Sequence, residues 1–234
     1  MINLDIQTGV NKAIDYVFHG KIVEYDMRAA SLQISDRFKL LPVSKIEELK
    51  RMTKDERVKE VGICQRDIPG YSEKLLQHIR EVRRHFIETN KVEDDQIIAL
   101  HNDALFINSL QPFKLIVDGI EFTEKTIWTS YIRFENIEMF YNNDTGQIEY
   151  KGVSSKTLPK HEIGMCKHIL KVFNMIENND ERTLDYITDY QTKYLKGQLN
   201  ENCYIPFANV SGQHTLENMK LLAFLCMIAI KECN

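Results

Sequence analysis

Two aspartates sit where extended segments end. Asp26 closes the run KIVEYD and opens the stretch VEYDMRAASLQIS, and Asp103 lies at the tip of an expected hairpin, in IIALHNDALFI. A sheet that pairs these segments brings two carboxylates together. Carboxylate oxygens suit hard divalent cations. A pair of such cations activates a 3′-hydroxyl and stabilises a leaving pyrophosphate. Each aspartate also has a plainer use, because Asp caps helices and makes turns.

Basic residues form the second set. Lys50, Lys54 and Arg57 fall at i, i+4 and i+7, one face of a single expected helix running from Ser44 to about Gly62. Such a face can grip triphosphate oxygens. It can equally be a solvated face, since Glu47, Glu48, Asp55 and Glu56 supply ordinary ion pairs. Lys74, Arg80, Arg83 and Arg84 line the next expected helix, where phosphate contact and solvation are both open.

Other reactive types are less organised. His101 neighbours Asp103, with no HxxH or HxH partner. His161 and His168 are two helical turns apart, too far to share one metal. Trp128, Tyr131 and Phe134 can stack bases, or fill a core at strand spacing. Tyr186, Tyr190 and Tyr194 form a helical packing seam. Cys64 is the one cysteine near a basic segment, and it lacks an evident His partner. No GxGxxG, GxxxxGK[ST] or GxSxG occurs.

The elements that must position these residues change type along the chain. Residues near 8–19 have a helical pattern, followed by the short strand Lys21 to Asp26 and a helix from about Met27. Beyond the charged helix, Asp67-Ile68-Pro69-Gly70 is a break, and Ser72 is the expected N-cap of a helix to about Asn90. Its apolar face is Leu75, Leu76, Ile79, Val82 and Phe86. Then come hairpins: QIIAL-HND-ALFI with a three-residue tip, FKLIV-DG-IEF turning at Asp118-Gly119, and the β-rich IWTSYIRF, IEMFY and QIEYKGV. From Pro159 helices are expected at about 160–177, 180–197 and 214–233. This is α+β: a central, mainly antiparallel sheet flanked by helices, with a helical C-terminal third.

Composition sets the limits. The chain has 234 residues, 43% of them apolar and 27% charged, which excludes a disordered or collagen-like chain. A net charge of −4 argues against coating nucleic acid by bulk charge and leaves a local basic groove open. Five cysteines without a CxxC fit a reduced, cytoplasmic compartment. The N-terminal residues do not form a signal peptide, and the apolar run Leu221 to Ile230 is too short for a bilayer.

The order of these motifs resembles the palm of family B DNA polymerases. VEYDMRAASL is similar to motif A of that family, in which an Asp leaving a strand holds metal. LHNDALFI is similar to motif C, an Asp-Thr-Asp hairpin: His101 stands for the first Asp, Asn102 for the Thr, and Asp103 matches the second Asp. EKTIWTSY resembles the Lys-x-Tyr region that follows, with Lys125 as its lysine. YNNDTGQIEYKGV resembles the next hairpin, which ends in Lys-Gly, here Lys151 and Gly152. The resemblance runs from Val23 to Val153. It departs at Ala29-Ala30-Ser31-Leu32, where the tyrosine-gated Ser-Leu-Tyr is absent, and it lacks both a fingers Lys-x-x-x-Asn-Ser-x-Tyr-Gly motif and an exonuclease domain.

The resemblance implies a minimal phage or mobile-element palm. Residues 1–158 would be the palm-like domain, with a fingers-like insertion at about 28–92, and residues 159–234 a thumb-like region. Asp26 and Asp103 would hold Mg²⁺; Lys50, Lys54 and Arg57 would bind the nucleotide; Lys125, Lys151, Arg83 and Arg84 would touch primer-template. Its partners would be nucleic acid, a deoxynucleoside triphosphate and other replication or transcription proteins, with no membrane. Two rival readings stay open: a non-catalytic palm-like module that binds protein or nucleic acid, and an unrelated α+β interaction protein.

Overall fold

The computed structural model describes residues 2–14 and 17–232. Cys233 and positions 15 and 16 of the expected N-terminal helix lie outside them. The fold is α+β, with antiparallel strands and flanking helices. It divides into two compact units. One comprises the N-terminal residues through Ile14 together with Gly20–Trp128, and the other comprises the segment ending at His19 together with Thr129 onward. The expected boundary at 158/159 falls inside the second unit.

In the first unit, strand β1 (Thr8–Val10) and strand β2 (Val17–Met27, of which residues from Gly20 belong here) replace the expected helix over 8–19. Val10, Ala13, Ile14, Val17 and Phe18 fall at helical spacing, yet the backbone pairs instead: β1 aligns Thr8 with His101 in strand β3 (Ile97–His101). Helix α1 (Ala30–Arg37) follows Met27 as expected. The single charged helix expected from Ser44 to Gly62 is two helices, α2 (Val43–Arg51) and α3 (Lys54–Asp67). The break is chemical. Met52 is extended, and Thr53 forms a capping box with Glu56, each side chain satisfying the other residue's backbone N–H.

Helix α4 (Tyr71–Asn90) starts one residue before Ser72, on Gly70 in the left-handed region. Ser72 is therefore inside the first turn and is not the cap. Leu75, Ile79, Val82 and Phe86 are buried as the periodicity requires. Strand β4 (Ala104–Asn108) returns from β3 across a two-residue tip, Asn102-Asp103, because His101 already pairs with Ala104. Strands β5 (Ile116–Val117) and β6 (Ile120–Phe134) turn at Asp118 and Gly119, both with positive φ, the requirement of a tight hairpin. The strand order here is β1-β3-β4-β2-β6, with β5 on β6. Val23, Tyr25 and Met27 of β2 pack with Leu105, Ile107, Leu75, Val82 and Phe86 in one core.

The second unit takes residues 129–134 of β6, then strands β7 (Ile137–Asn142) and β8 (Gln147–Lys151), paired antiparallel in that order. Helices α5 (Leu158–Ile163) and α6 (Met165–Glu177) stand where one helix was expected and part at Gly164. Helices α7 (Thr183–Leu195) and α8 (Asn218–Glu232) follow, separated by a 3₁₀ turn (Glu201–Tyr204) and the short pair β9 (Phe207–Ala208) and β10 (Thr215–Leu216). Its core gathers Ile132, Met139, Ile169, Phe173, Leu222 and Leu225. No helix among the described residues is long and apolar enough to cross a membrane.

Candidate functional site

Alternation along β2 sends Val23, Tyr25 and Met27 into the core. Glu24 and Asp26 therefore share the opposite face. β4 pairs with β2 in a register that sets Asp26 across from Ala104. Asp103 precedes Ala104, so the hairpin tip delivers its carboxylate beside the end of β2. The Met27 N–H donates to the Asp103 carbonyl at 3.2 Å, and the Thr123 hydroxyl donates to the Asp26 carbonyl at 3.3 Å. The chain then leaves the sheet through Ala29, in the left-handed region at φ 47°, and enters α1.

Above these two residues lies a cleft of about 640 Å³. One wall is the Asp26–Leu32 turn with Asp103 and Thr123. The other is α3, through Lys54, Arg57, Val58, Val61 and Gln65. Those α3 positions recur at i, i+3, i+4, i+7 and i+11, so a single helix face looks into the cleft. It presents two cations near the N-terminal end, an exposed valine next and an amide near the far end. Neither Lys54 nor Arg57 makes an ion pair among the described residues.

The residues behind the two aspartates are electrostatically arranged, outside the cleft lining itself. Glu24 is 1% exposed, and Lys125 donates to its carboxylate at 2.9 Å. Burial raises the Asp103 carboxyl above its ordinary range, against the pull of Lys125 and Arg83. Arg83 is itself 1% exposed. Its guanidinium donates to the carbonyls of Asn102 at 2.8 Å, Gln7 at 3.0 Å and Leu4 at 3.4 Å, and also to Ile6. Burial pushes it down to about 10, with Arg80 nearby adding to the effect. Two carboxylates are a hard-oxygen donor set that suits Mg²⁺. Among the described residues no group of three or more His, Cys, Asp or Glu side chains is arranged for a metal, so further ligands would come from water or substrate.

The expected site residues thus separate. Asp26, Asp103, Lys54 and Arg57 share the cleft, and Lys125 lies on the strand face beside it. Lys50 does not share the α3 face, because the break at Thr53 puts it on α2; there it pairs with Asp36 at 3.1 Å and Glu47 at 2.9 Å. Arg83 is an internal hydrogen-bond donor, with no surface left for phosphate. Arg84 pairs with Asp5. Lys151 pairs with Glu149 in the second unit. Glu24, Thr123 and Gln7 carry little signal in the sequence; the period-2 phase of β2, which puts Glu24 on the face of Asp26, is what marks the first of them.

The alternative stacking and metal candidates are packing residues. Trp128 and Tyr131 are buried, and the Tyr131 hydroxyl donates to Glu138 at 3.0 Å. Phe134 meets Phe224 with ring centroids 4.4 Å apart. His161 stacks on Phe207 and His168 on Tyr190; burial lowers both imidazoles, His168 to about 3. The His101 ring meets Phe106 edge-on at 5.5 Å. Cys64 is buried and its thiol is raised by that burial, the opposite of an activated nucleophile.

No curated protein matches the sequence. A family model described as "Bacteriophage PBS1 gene 130 protein" matches residues 4–224, which covers both units. The chain therefore belongs to the Bacteriophage PBS1 gene 130 protein family.

Proposed function

We propose that the cleft is the nucleotide site of a polymerase-like palm, a Mg²⁺-dependent nucleotidyltransferase that acts on primer-template. One observation carries the reading: Asp26 and Asp103 open into the same cleft as Lys54 and Arg57. Acids on one wall and cations on the other match a triphosphate, whose oxygens need counter-charge at one end and metal at the other. Asp26 and Asp103 would hold the metal, which when bound activates the attacking hydroxyl and neutralises the leaving pyrophosphate. Lys54 and Arg57 would orient the phosphates, and exposed Val58 offers apolar surface further along the helix. Lys125 would stand between Glu24 and approaching nucleic acid. Other replication or transcription proteins would be its partners.

The test is primer extension with Mg²⁺ or Mn²⁺, comparing wild type with Asp26→Asn. Incorporation by wild type and none by the variant, at similar melting temperature, supports the reading. No incorporation by wild type on any primer-template removes it.

A second reading is favoured by His101, which occupies the position where the resembled motif has its first acid. With an imidazole there, the unit would bind nucleotide or nucleic acid without chemistry. Triphosphate binding that depends on Lys54 and Arg57, with no incorporation, is its signature.

A further inference from the structure

Arg83 is a cation buried without a carboxylate contact among the described residues, which is costly unless its hydrogen bonds do something that a leucine could not. Its acceptors are backbone carbonyls from two places, residues 4–7 and Asn102. Asn102 immediately precedes Asp103 and sits in the left-handed region at φ 50°. It is held at three of its polar groups: its N–H donates to the Gln7 carbonyl at 3.0 Å, its side-chain oxygen accepts from the Gln7 amide at 2.7 Å, and its carbonyl accepts from Arg83. The planar guanidinium spans several acceptors at once, and an ammonium cannot do so.

We infer that Arg83, with Gln7, is a positioning residue that clamps the β3–β4 tip at Asn102 and thereby fixes Asp103 against the end of β2. This rests on the reading of the cleft as a metal-dependent nucleotide site. It ties the aim of the carboxylate to α4 and to the N-terminal segment, neither of which touches the cleft. Loss of the clamp frees the turn that carries Asp103 and leaves the cations of α3 where they are.

The experiment uses the full chain and the variant Arg83→Lys, which keeps the charge and loses the fork. Amide exchange is followed at residues 101–104 and at Met27, whose N–H bonds to the Asp103 carbonyl. Mn²⁺ alone is the metal probe, read by spin resonance, and tripolyphosphate in EDTA is the control for Lys54 and Arg57. The expected result is faster exchange confined to these residues, Mn²⁺ binding weakened by about tenfold or more, and unchanged tripolyphosphate binding. Unchanged exchange, unchanged Mn²⁺ affinity beside a loosened turn, or an equal loss of tripolyphosphate binding overturns the inference. If wild type binds no Mn²⁺, the metal reading fails by itself and the exchange data still decide the clamp. If Arg83→Lys does not fold, Gln7→Ala tests the same clamp from its exposed side: a smaller change of the same kind supports it, and no change overturns it.

Discussion

The break between α2 and α3 makes Lys50 a built-in control for its former companions. Lys54 and Arg57 line the cleft with no ion pair among the described residues, and Lys50 is held on α2 by Asp36 and Glu47. A hydrogen bond to a charged group contributes about 1.5–3 kcal/mol. Lys54 is exposed, so its contact belongs near the low end, about tenfold in affinity. Half-buried Arg57, with a fork that can span two phosphate oxygens, belongs somewhat higher. Lys54→Gln with Arg57→Gln is therefore expected to weaken triphosphate binding by about 100-fold or more if the two act independently. Lys50→Gln is expected to change it by less than about twofold, since exposed ion pairs contribute about 0–1 kcal/mol to stability and none of that lies at the cleft. Anisotropy of a fluorescent deoxynucleoside triphosphate, titrated with each variant at two salt concentrations, measures this. Equal losses from Lys50→Gln and Lys54→Gln would refute the reasoning, because the ligand would then follow bulk charge and not the cleft.

Three further outcomes follow from local physics. Burial raises the Asp103 carboxyl, so its stabilising contribution belongs to the protonated form, present below the ordinary carboxylate pKa and lost as pH rises through the folded value. Asp103→Asn should therefore raise the melting temperature in EDTA at neutral pH, and calorimetry at descending pH should show the gain shrinking. Thr53→Ala removes the capping box of α3 and should cost about 1 kcal/mol in urea unfolding. Gly152 has φ +80°, and a Cβ there would lie 2.2 Å from the Asn136 carbonyl oxygen, so Gly152→Ala should destabilise by more than the ~1–2 kcal/mol of left-handed strain alone, again by urea unfolding.

The legible parts of the chain are those fixed by local rules. Strand alternation around Asp26 and the two-strand pattern around Asp103 identified the segments that pair, and the Asp118-Gly119 turn has the positive φ values that its residue types suggest. The illegible parts were decided by competition. Thr53 with Glu56 is a helix-start signature inside a stretch whose charge pattern looked continuous, so one helix was expected where two form. The N-terminal segment carries apolar residues at helical spacing, and the pairing of β1 with β3 overrides it.

Arg83 shows why the type of a residue can mislead where its position does not. Within Lys74, Arg80, Arg83 and Arg84 it looks like one more surface cation. Yet it follows Leu75 and Ile79 at i+8 and i+4 and stands one residue after Val82, on the stripe that α4 buries. Its place on the helix therefore forecast burial, and burial of a guanidinium demands acceptors. Those acceptors are the carbonyls of residues 4–7 and of Asn102, ahead of Asp103. The same reasoning separates the cations of this unit by what each has left to offer a ligand. Arg83 directs its two terminal nitrogens to backbone, Lys50 and Arg84 bond carboxylates, and Lys125 bonds buried Glu24. Among the described residues, Lys54 and Arg57 make no ion pair, and they stand on the wall that faces Asp26 and Asp103.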